Sequence, residues 1–372
     1  MGGFTMRKEK QLAVLVSAVS LAVVSLSGCS GKAPGTGSSA TTVSEESGAQ
    51  TQAQDSSGNA DYTQGDPVAI KIAHVSQEGV PIDQASHKLG EMLEEKTGGR
   101  ITVDVFPASA LGNNTELLEQ LQMGTLEMAI SSSAFLGAFT DSTALLDLPY
   151  LFSSNEAAEE VLDGEVGQEI FKNLESSGFK GMTWMATGWR HLTANKEVRK
   201  PEDMKGLKIR VMENQMHIDH FNALGASAVP MAFSELYTAL QNGTMDAEEN
   251  PFANIDGNRL YEVQKYIIKT GHIYDASPLL ASKTWWDGLS ASDQQLISDC
   301  VKEMIVYERE LSAANEEELE KKIGGNGTNQ IISLTDEERE AFRQAAQPVY
   351  DKYVSQIGAD LVKKVEEING KY

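Results

Sequence analysis

From residue 67 onward the chain repeats one pattern, a short alternating run followed by an amphipathic run, and this order limits its fold more than any other feature. Residues 69–75 alternate apolar and polar side chains, the period-2 signature of a half-buried strand. Residues 81–97 read as a helix stopped by Gly98-Gly99, and 101–106 alternate again. Residues 114–123 place Leu117, Leu118 and Leu121 on one helical face, and 126–130 form a short apolar strand running into Ser131-Ser132-Ser133. Strand–helix–strand–helix–strand order predicts α/β layers around a largely parallel sheet, because parallel strands need crossover connections. A second series has strands at 181–187, 207–211 and 245–249, with helices at 215–224 and 233–241. Runs at 266–270 and 278–281 read as two more strands, able to carry the chain between two halves.

The most regular segment follows. Ser292-Asp293-Gln294-Gln295 fits a capping box with Ser292 as N-cap. Ile297, Val301, Met304, Leu311 and Leu319 then recur at helical spacing up to Gly324-Gly325. Neither proline nor glycine intervenes, which predicts one helix about 48 Å long, enough to lie across two small domains. Residues 335–354 and 360–368 read as terminal helices. A chain of 372 residues exceeds what one core usually holds, so two lobes are expected.

The N-terminus reads as a targeting segment. Arg7, Lys8 and Lys10 precede an apolar stretch at 12–25, too short to span a bilayer comfortably, and Leu26-Ser27-Gly28-Cys29 closes it. This resembles a bacterial lipobox, with 1–28 removed and Cys29 acylated as a membrane anchor. Residues 30–66 are rich in Gly, Ser, Thr, Ala and Gln and cannot bury enough surface to fold. As a tether they span about 33 Å. Of the two cysteines, lipidation of Cys29 leaves Cys300 without an intramolecular partner, as a small buried hydrophobe on the long helix.

The formal charge is -23, and residues 1–28 carry net +2, so the chain from Cys29 onward sits at -25. Such a surface repels phosphate backbones and excludes nucleic acid as a partner. An anionic ligand would need local positive charge, which makes a few arginines informative. No nucleophile elbow, phosphate-binding loop or zinc-protease helix motif is present, so no enzyme activity is expected, and no cofactor. His217 and His220 stand at helical i, i+3 spacing without a third ligand and read as packing residues, so no metal is expected. Arg190 follows the strand at 181–187, and Arg210 lies inside the apolar Leu207-Lys208-Ile209-Arg210-Val211. A guanidinium in an apolar strand is costly unless paired, either with the protein's own carboxylates or as a fork for a ligand carboxylate. Spacing does not choose between the two. In Glu249-Asn250-Pro251 the asparagine before proline is pushed to extended geometry, with its amide free to project.

At these residues the chain resembles the solute receptors of TRAP transporters, the DctP type, over essentially all of 70–372. The resemblance rests on Phe106-Pro107 with Ala110-Leu111-Gly112, on Leu148-Pro149-Tyr150-Leu151-Phe152 and on the Gly206–Arg210 strand. Pro230-Met231-Ala232-Phe233-Ser234-Glu235, Gln241-Asn242-Gly243-Thr244-Met245-Asp246 and Glu249-Asn250-Pro251 continue it in order. It implies an α/β, two-lobed periplasmic-binding-protein-like fold with a long helix spanning both lobes. The expected division is 67–187 with 276–315 in lobe I and 188–275 with 316–372 in lobe II, closing on a hinge. It implies that Arg210, Asn250 and Arg190 meet a ligand carboxylate. Phe233 would wall the pocket, and His74, Gln77, Asn114, Ser131 and Ser132 would meet the ligand's polar remainder. The motif D-G-Q-E-N-P reads Asp246-Ala247-Glu248-Glu249-Asn250-Pro251 here, which puts an extra carboxylate, Glu248, at the expected pocket rim. Sialic-acid-binding members often carry an acidic residue where Ser132 stands. The implied function is extracytoplasmic capture of a small organic carboxylate for TRAP membrane subunits, by a lipid-anchored monomer. A sugar acid such as a hexuronate is favoured over a C4-dicarboxylate or sialic acid. A sensor subunit for a membrane kinase would show the same residues.

Overall fold

The structure, a computed structural model, describes residues 61–372. The leader, Cys29 and most of the 29–66 tether lie outside the described residues. The first half holds β1 (Val68–His74), α1 (Pro81–Thr97), β2 (Ile101–Phe106), α2 (Asn114–Met123), β3 (Met128–Ile130), α3 (Asn155–Asp163) and α4 (Glu165–Glu175). Then come β4 (Phe179–Ala194), β5 (Lys208–Val211), α5 (Gln215–Ala223), β6 (Ser227–Pro230), α6 (Leu236–Gln241), β7 (Ala247–Asn250) and α7 (Phe252–Gly257). The chain ends with β8 (Tyr266–Ser282), α8 (Lys283–Asp287), α9 (Ala291–Gly324), β9 (Gln330–Ser333), α10 (Asp336–Ile357) and α11 (Ala359–Asn369).

One sheet threads both halves in the order β2-β1-β3-β8-β4-β7-β5-β6, with β9 against β8. It is mixed rather than largely parallel. β1 pairs parallel with β2 and β3, and β5 with β6 and β7, but β8 and β4 are antiparallel to each other and to their other main-path neighbours. Two long strands cause this. The run expected at 181–187 extends to Ala194, and the two expected at 266–270 and 278–281 are one strand. Each of β4 and β8 serves the first sheet at one end and the second at the other. Gly271 and Pro278 interrupt the apolar alternation of β8, which is why it reads as two pieces. The β4–β8 register shifts at Gly181/Thr183, Ala186/Gly188 and Arg190/Leu192. Such bulges bend a strand and re-aim its side chains. At the middle one Gly188 has φ 109°, a conformation that favours glycine.

Helices cover both faces. The bounds expected for α1, β2 and α2 agree with the structure. Gly98, left-handed at φ 61°, ends α1, and Asn113 with Glu116 forms a capping box for α2. The long helix α9 is a single unbroken helix of 34 residues, but it starts two residues earlier than expected. Its N-cap is Ser290, whose hydroxyl accepts from the Asp293 N–H at 3.0 Å and donates to the Asp293 carboxylate at 2.8 Å. Arg100 pairs with Asp293 at 2.5 Å, fixing it as a first-turn residue. Leu296, Ile297, Cys300, Val301 and Met304 of α9 pack with Leu89, Leu93 and Ile72 of the first half. Farther along, Leu319 and Ile323 pack with Phe252, Ile255 and Ile267 of the second. Each such side chain contributes about 1.5–3 kcal/mol by leaving water, so α9 is tied to both halves. Val362 and Val365 of α11 share a cluster with Val161 and Ile170, and Lys364 bonds Glu165 at 2.8 Å. Residues 359–369 therefore lie against α3 and α4.

Candidate functional site

The parallel strands of both halves end at one crevice lined by residues of each. The C-terminal ends of strands are where α/β sheets leave backbone and loops free for a ligand. The first half contributes His74 and Ser76 from the end of β1, Asn114 from the start of α2, and Ser132 beyond β3. The second contributes Arg210 and Met212 from β5, Phe233, Asn250 and Asn254. Thr187, Arg190, Asp275 and Ser277 of the two long strands form the floor between them. Outside the crevice lining, Gln77 Nε2 donates to Asn258 Oδ1 at 2.9 Å and Asn214 Nδ2 to the Ala134 carbonyl at 2.8 Å, so the halves touch at two further places.

The two arginines are equally buried, each 1 % exposed, but their surroundings differ. Arg190 Nε donates to Glu249 Oε2 at 2.5 Å, and Nη1 to Asp275 Oδ2 at 2.5 Å. Nη2 donates to Glu249 Oε1 at 2.9 Å and to the Glu249 carbonyl at 2.5 Å. Burial opposes its charge, but Glu249 and Asp275 outweigh that and raise its pKa above the ordinary arginine range. Arg190 is thus held by the protein's own carboxylates.

Arg210 has no carboxylate within ion-pair distance among the described residues. Its Nε and Nη2 donate to one carbonyl, that of Met231, at 2.9 and 2.7 Å. Its guanidinium carbon lies 5.7 Å from the centre of the Phe233 ring. Nη1 has no protein acceptor among the described residues. Burial, with Arg190 adding to it against the pull of Glu249 and Glu248, pushes its pKa down to about 10. It stays charged at neutral pH. Beside it Asn250 donates from Nδ2 to Glu248 Oε2 at 2.5 Å, while Oδ1 accepts from Arg190 and Asn254 at 3.3 Å each.

The crevice brings together Arg210, Asn250, Arg190, His74, Asn114, Ser132 and Phe233. Asn114 is buried with its Oδ1 unpartnered. His74 lies between the Ser76 carbonyl at 3.1 Å and Asp83 at 3.3 Å. Gln77 is not in the lining, and Ser131 is buried outside it. Glu248 is not at the rim: it is fully buried behind Asn250. His217 and His220 are packing residues, His217 3.2 Å from Asp147 and His220 stacked on His272 at 5.6 Å. No cluster of three metal-binding side chains occurs among the described residues. Asp275 went unread in the sequence. It accepts from Ser132 Oγ at 2.8 Å and from Arg190, which lies 85 residues away, so no local pattern reveals it.

Comparison with known proteins places this arrangement. The model of the DctP family, bacterial extracellular solute-binding protein, family 7, matches residues 72–356. The chain is 35 % identical over 288 residues to the 2,3-diketo-L-gulonate-binding periplasmic protein of Escherichia coli, covering 76 % of this chain and 87 % of that one. It superposes with TM-score 0.80 on a TRAP periplasmic solute-binding protein of Shewanella oneidensis with bound succinate, 30 % identical, over 82 % of this chain and 99 % of that one. The sugar acid-binding protein of Advenella mimigardefordensis in complex with galactonate gives the same TM-score, 0.80, at 31 % identity over 82 % and 99 % of the two chains. The chain belongs to the bacterial extracellular solute-binding protein family 7, the DctP family.

Proposed function

We propose that this protein is the extracytoplasmic receptor of a TRAP-type membrane transporter and captures a small hydroxylated monocarboxylate, a sugar acid such as a hexuronate. The observation that carries the reading is Arg210, a buried cation lining the crevice with no carboxylate in ion-pair distance among the described residues. Such a charge is costly until an anion arrives, and its planar fork suits a carboxylate. The other lining cation, Arg190, is already balanced by Glu249 and Asp275. A second acid group on the ligand would meet Asp275 and no second uncommitted guanidinium among the described residues. Hydroxyl groups would meet Ser76, Asn114, Ser132 and Ser277, which suits a sugar acid better than a C4-dicarboxylate. Family relatives with bound galactonate and with 2,3-diketo-L-gulonate in their names support the same class.

Closure would swing 67–187 with 276–315 against 188–275 with most of 316–372 about the bulged crossing of β4 and β8, while α11, packed on α3 and α4, stays with the first group. Contacts to both lobes favour the closed form by differential affinity. Cys29 would anchor the receptor by lipid at the membrane face, as a monomer beside the transporter subunits. No helix among the described residues is long and apolar enough to cross a membrane. A thermal-shift panel of hexuronates, aldonates, C4-dicarboxylates, sialic acid and neutral sugars tests the ligand class, since a bound ligand raises stability by mass action. Monocarboxylate sugar acids should give the largest shifts. A shift from a neutral sugar with none from any acid refutes the reading.

A further inference from the structure

The residue behind the crevice carries an inference of its own. Glu248 does not line the crevice and is fully buried, with no cation in ion-pair distance among the described residues. It stands directly opposite Thr193 in the β4–β7 ladder, as Asn250 stands opposite His191. Two residues apart on one strand, Glu248 and Asn250 project to the same face. Thr193 Oγ1 donates to Glu248 Oε1 at 2.6 Å, and Asn250 Nδ2 donates to Oε2 at 2.5 Å. An ionised carboxylate only accepts hydrogen bonds. Glu248 therefore dictates which end of the Asn250 amide is NH₂, and leaves that group one further N–H.

We propose that Glu248 is a positioning residue for acid capture: it locks the Asn250 amide so that its second N–H serves the ligand carboxylate beside Arg210, and it takes up a proton as the ligand binds. This rests on the reading of the crevice as an acid site. The charged groups nearest Glu248 are Glu249, next to it on its own strand, Arg190 from β4 and Arg210 from β5, and its polar neighbours are Asn250, Thr193 and, beyond Thr193, Gln264. Burial pushes its carboxyl up to about 7, with Glu249 adding to this and the Thr193 and Asn250 hydrogen bonds and Arg190 opposing it. An arriving carboxylate puts one more negative charge next to Asn250 and favours the protonated form. The acceptor for that proton's hydrogen bond exists. A protonated Oε1 donates to Thr193 Oγ1, whose own hydroxyl then turns to Gln264 Oε1, 3.4 Å away. Oε2 keeps its bond from Asn250 throughout. Because the bound state holds more protons than the free state, affinity falls as pH rises through this range.

Calorimetric titration of D-galactonate, which stays ionised throughout, into the full protein at pH 6, 7 and 8 in two buffers of different ionisation heat tests this. The wild type should lose about three- to tenfold in affinity from pH 6 to 8, with proton uptake on binding. Glu248→Gln, a neutral acceptor, should show a flat profile near the wild-type value at pH 6, with no uptake. Glu248→Ala should lose roughly tenfold at every pH, because the Asn250 amide is released. A Glu248→Gln profile as steep as the wild type's, or Glu248→Ala binding as well as wild type, overturns the inference while the acid site stands. No binding of D-galactonate, nor of any other acid of the thermal-shift panel, by the wild type at any pH overturns the acid-site reading and this inference with it.

Discussion

Arg190 on β4 and Arg210 on β5 are two buried guanidinium groups lining one crevice, and their partners are opposite in kind. Arg190 is enclosed by Glu249 and Asp275, from β7 and β8, so its charge holds three strands together. Arg210 leans on one backbone carbonyl and an aromatic face and leaves Nη1 unpaired. Burial depth does not distinguish them; the partners do. On the proposed reading, a buried charge with its counter-ion inside the fold is structural, and one without it serves a ligand.

The largest effect that can break this contrast is loss of Arg190. Arg190→Met strands Glu249 and Asp275 as buried carboxylates, and should destabilise the protein by about 3–5 kcal/mol in urea unfolding. Arg210→Met should leave unfolding within about 1 kcal/mol of wild type yet weaken acid binding by about 100-fold in calorimetry. If the two variants exchange these outcomes, the assignment of roles is reversed.

Glu308 on α9 sharpens the comparison, as a buried charge of opposite sign away from the crevice. Its Oε2 accepts from the Ala186 N–H at 3.1 Å, beside the middle bulge of β4, and Oε1 from Ser312. Burial pushes its pKa up to about 7. A carboxyl raised above its unfolded value stabilises the fold at low pH and loses that contribution as pH rises through the folded value. Stability should therefore fall by about 1–2 kcal/mol between pH 5.5 and 8. Glu308→Gln should remove that share of the fall without altering acid affinity at pH 6. The smallest effect is expected at the neutral wall. Asn114→Ala should weaken a sugar acid about three- to tenfold, and an acid lacking hydroxyl groups hardly at all.

Local order was legible in the sequence where a short pattern controls it. Gly98-Gly99 and the leucine face of α2 set their elements without tertiary help, whereas the Asn113–Glu116 cap went unread. Arg210 was conspicuous because it interrupts an apolar strand. What the sequence hid is pairing at a distance. Nothing near Arg190 reveals Asp275 or Glu249, so a structural and a ligand-binding arginine look alike in one dimension. Glu248 was expected at the rim from the resemblance alone, because it replaces the glutamine of the D-G-Q-E-N-P motif. The ladder places it opposite Thr193 and inside. The start of α9 was misplaced because Ser290 and Ser292 are both good caps, and Arg100, far away in the chain, favours Asp293 as the third helical residue.

The most direct measurement is a crystal structure of the protein with the acid that gives the largest thermal shift. Its carboxylate should lie about 3 Å from the Arg210 guanidinium and from Asn250 Nδ2, with Arg190 still on Glu249 and Asp275. A carboxylate bound instead to Arg190, with either of those acids displaced, or one that leaves Arg210 untouched, would contradict the account.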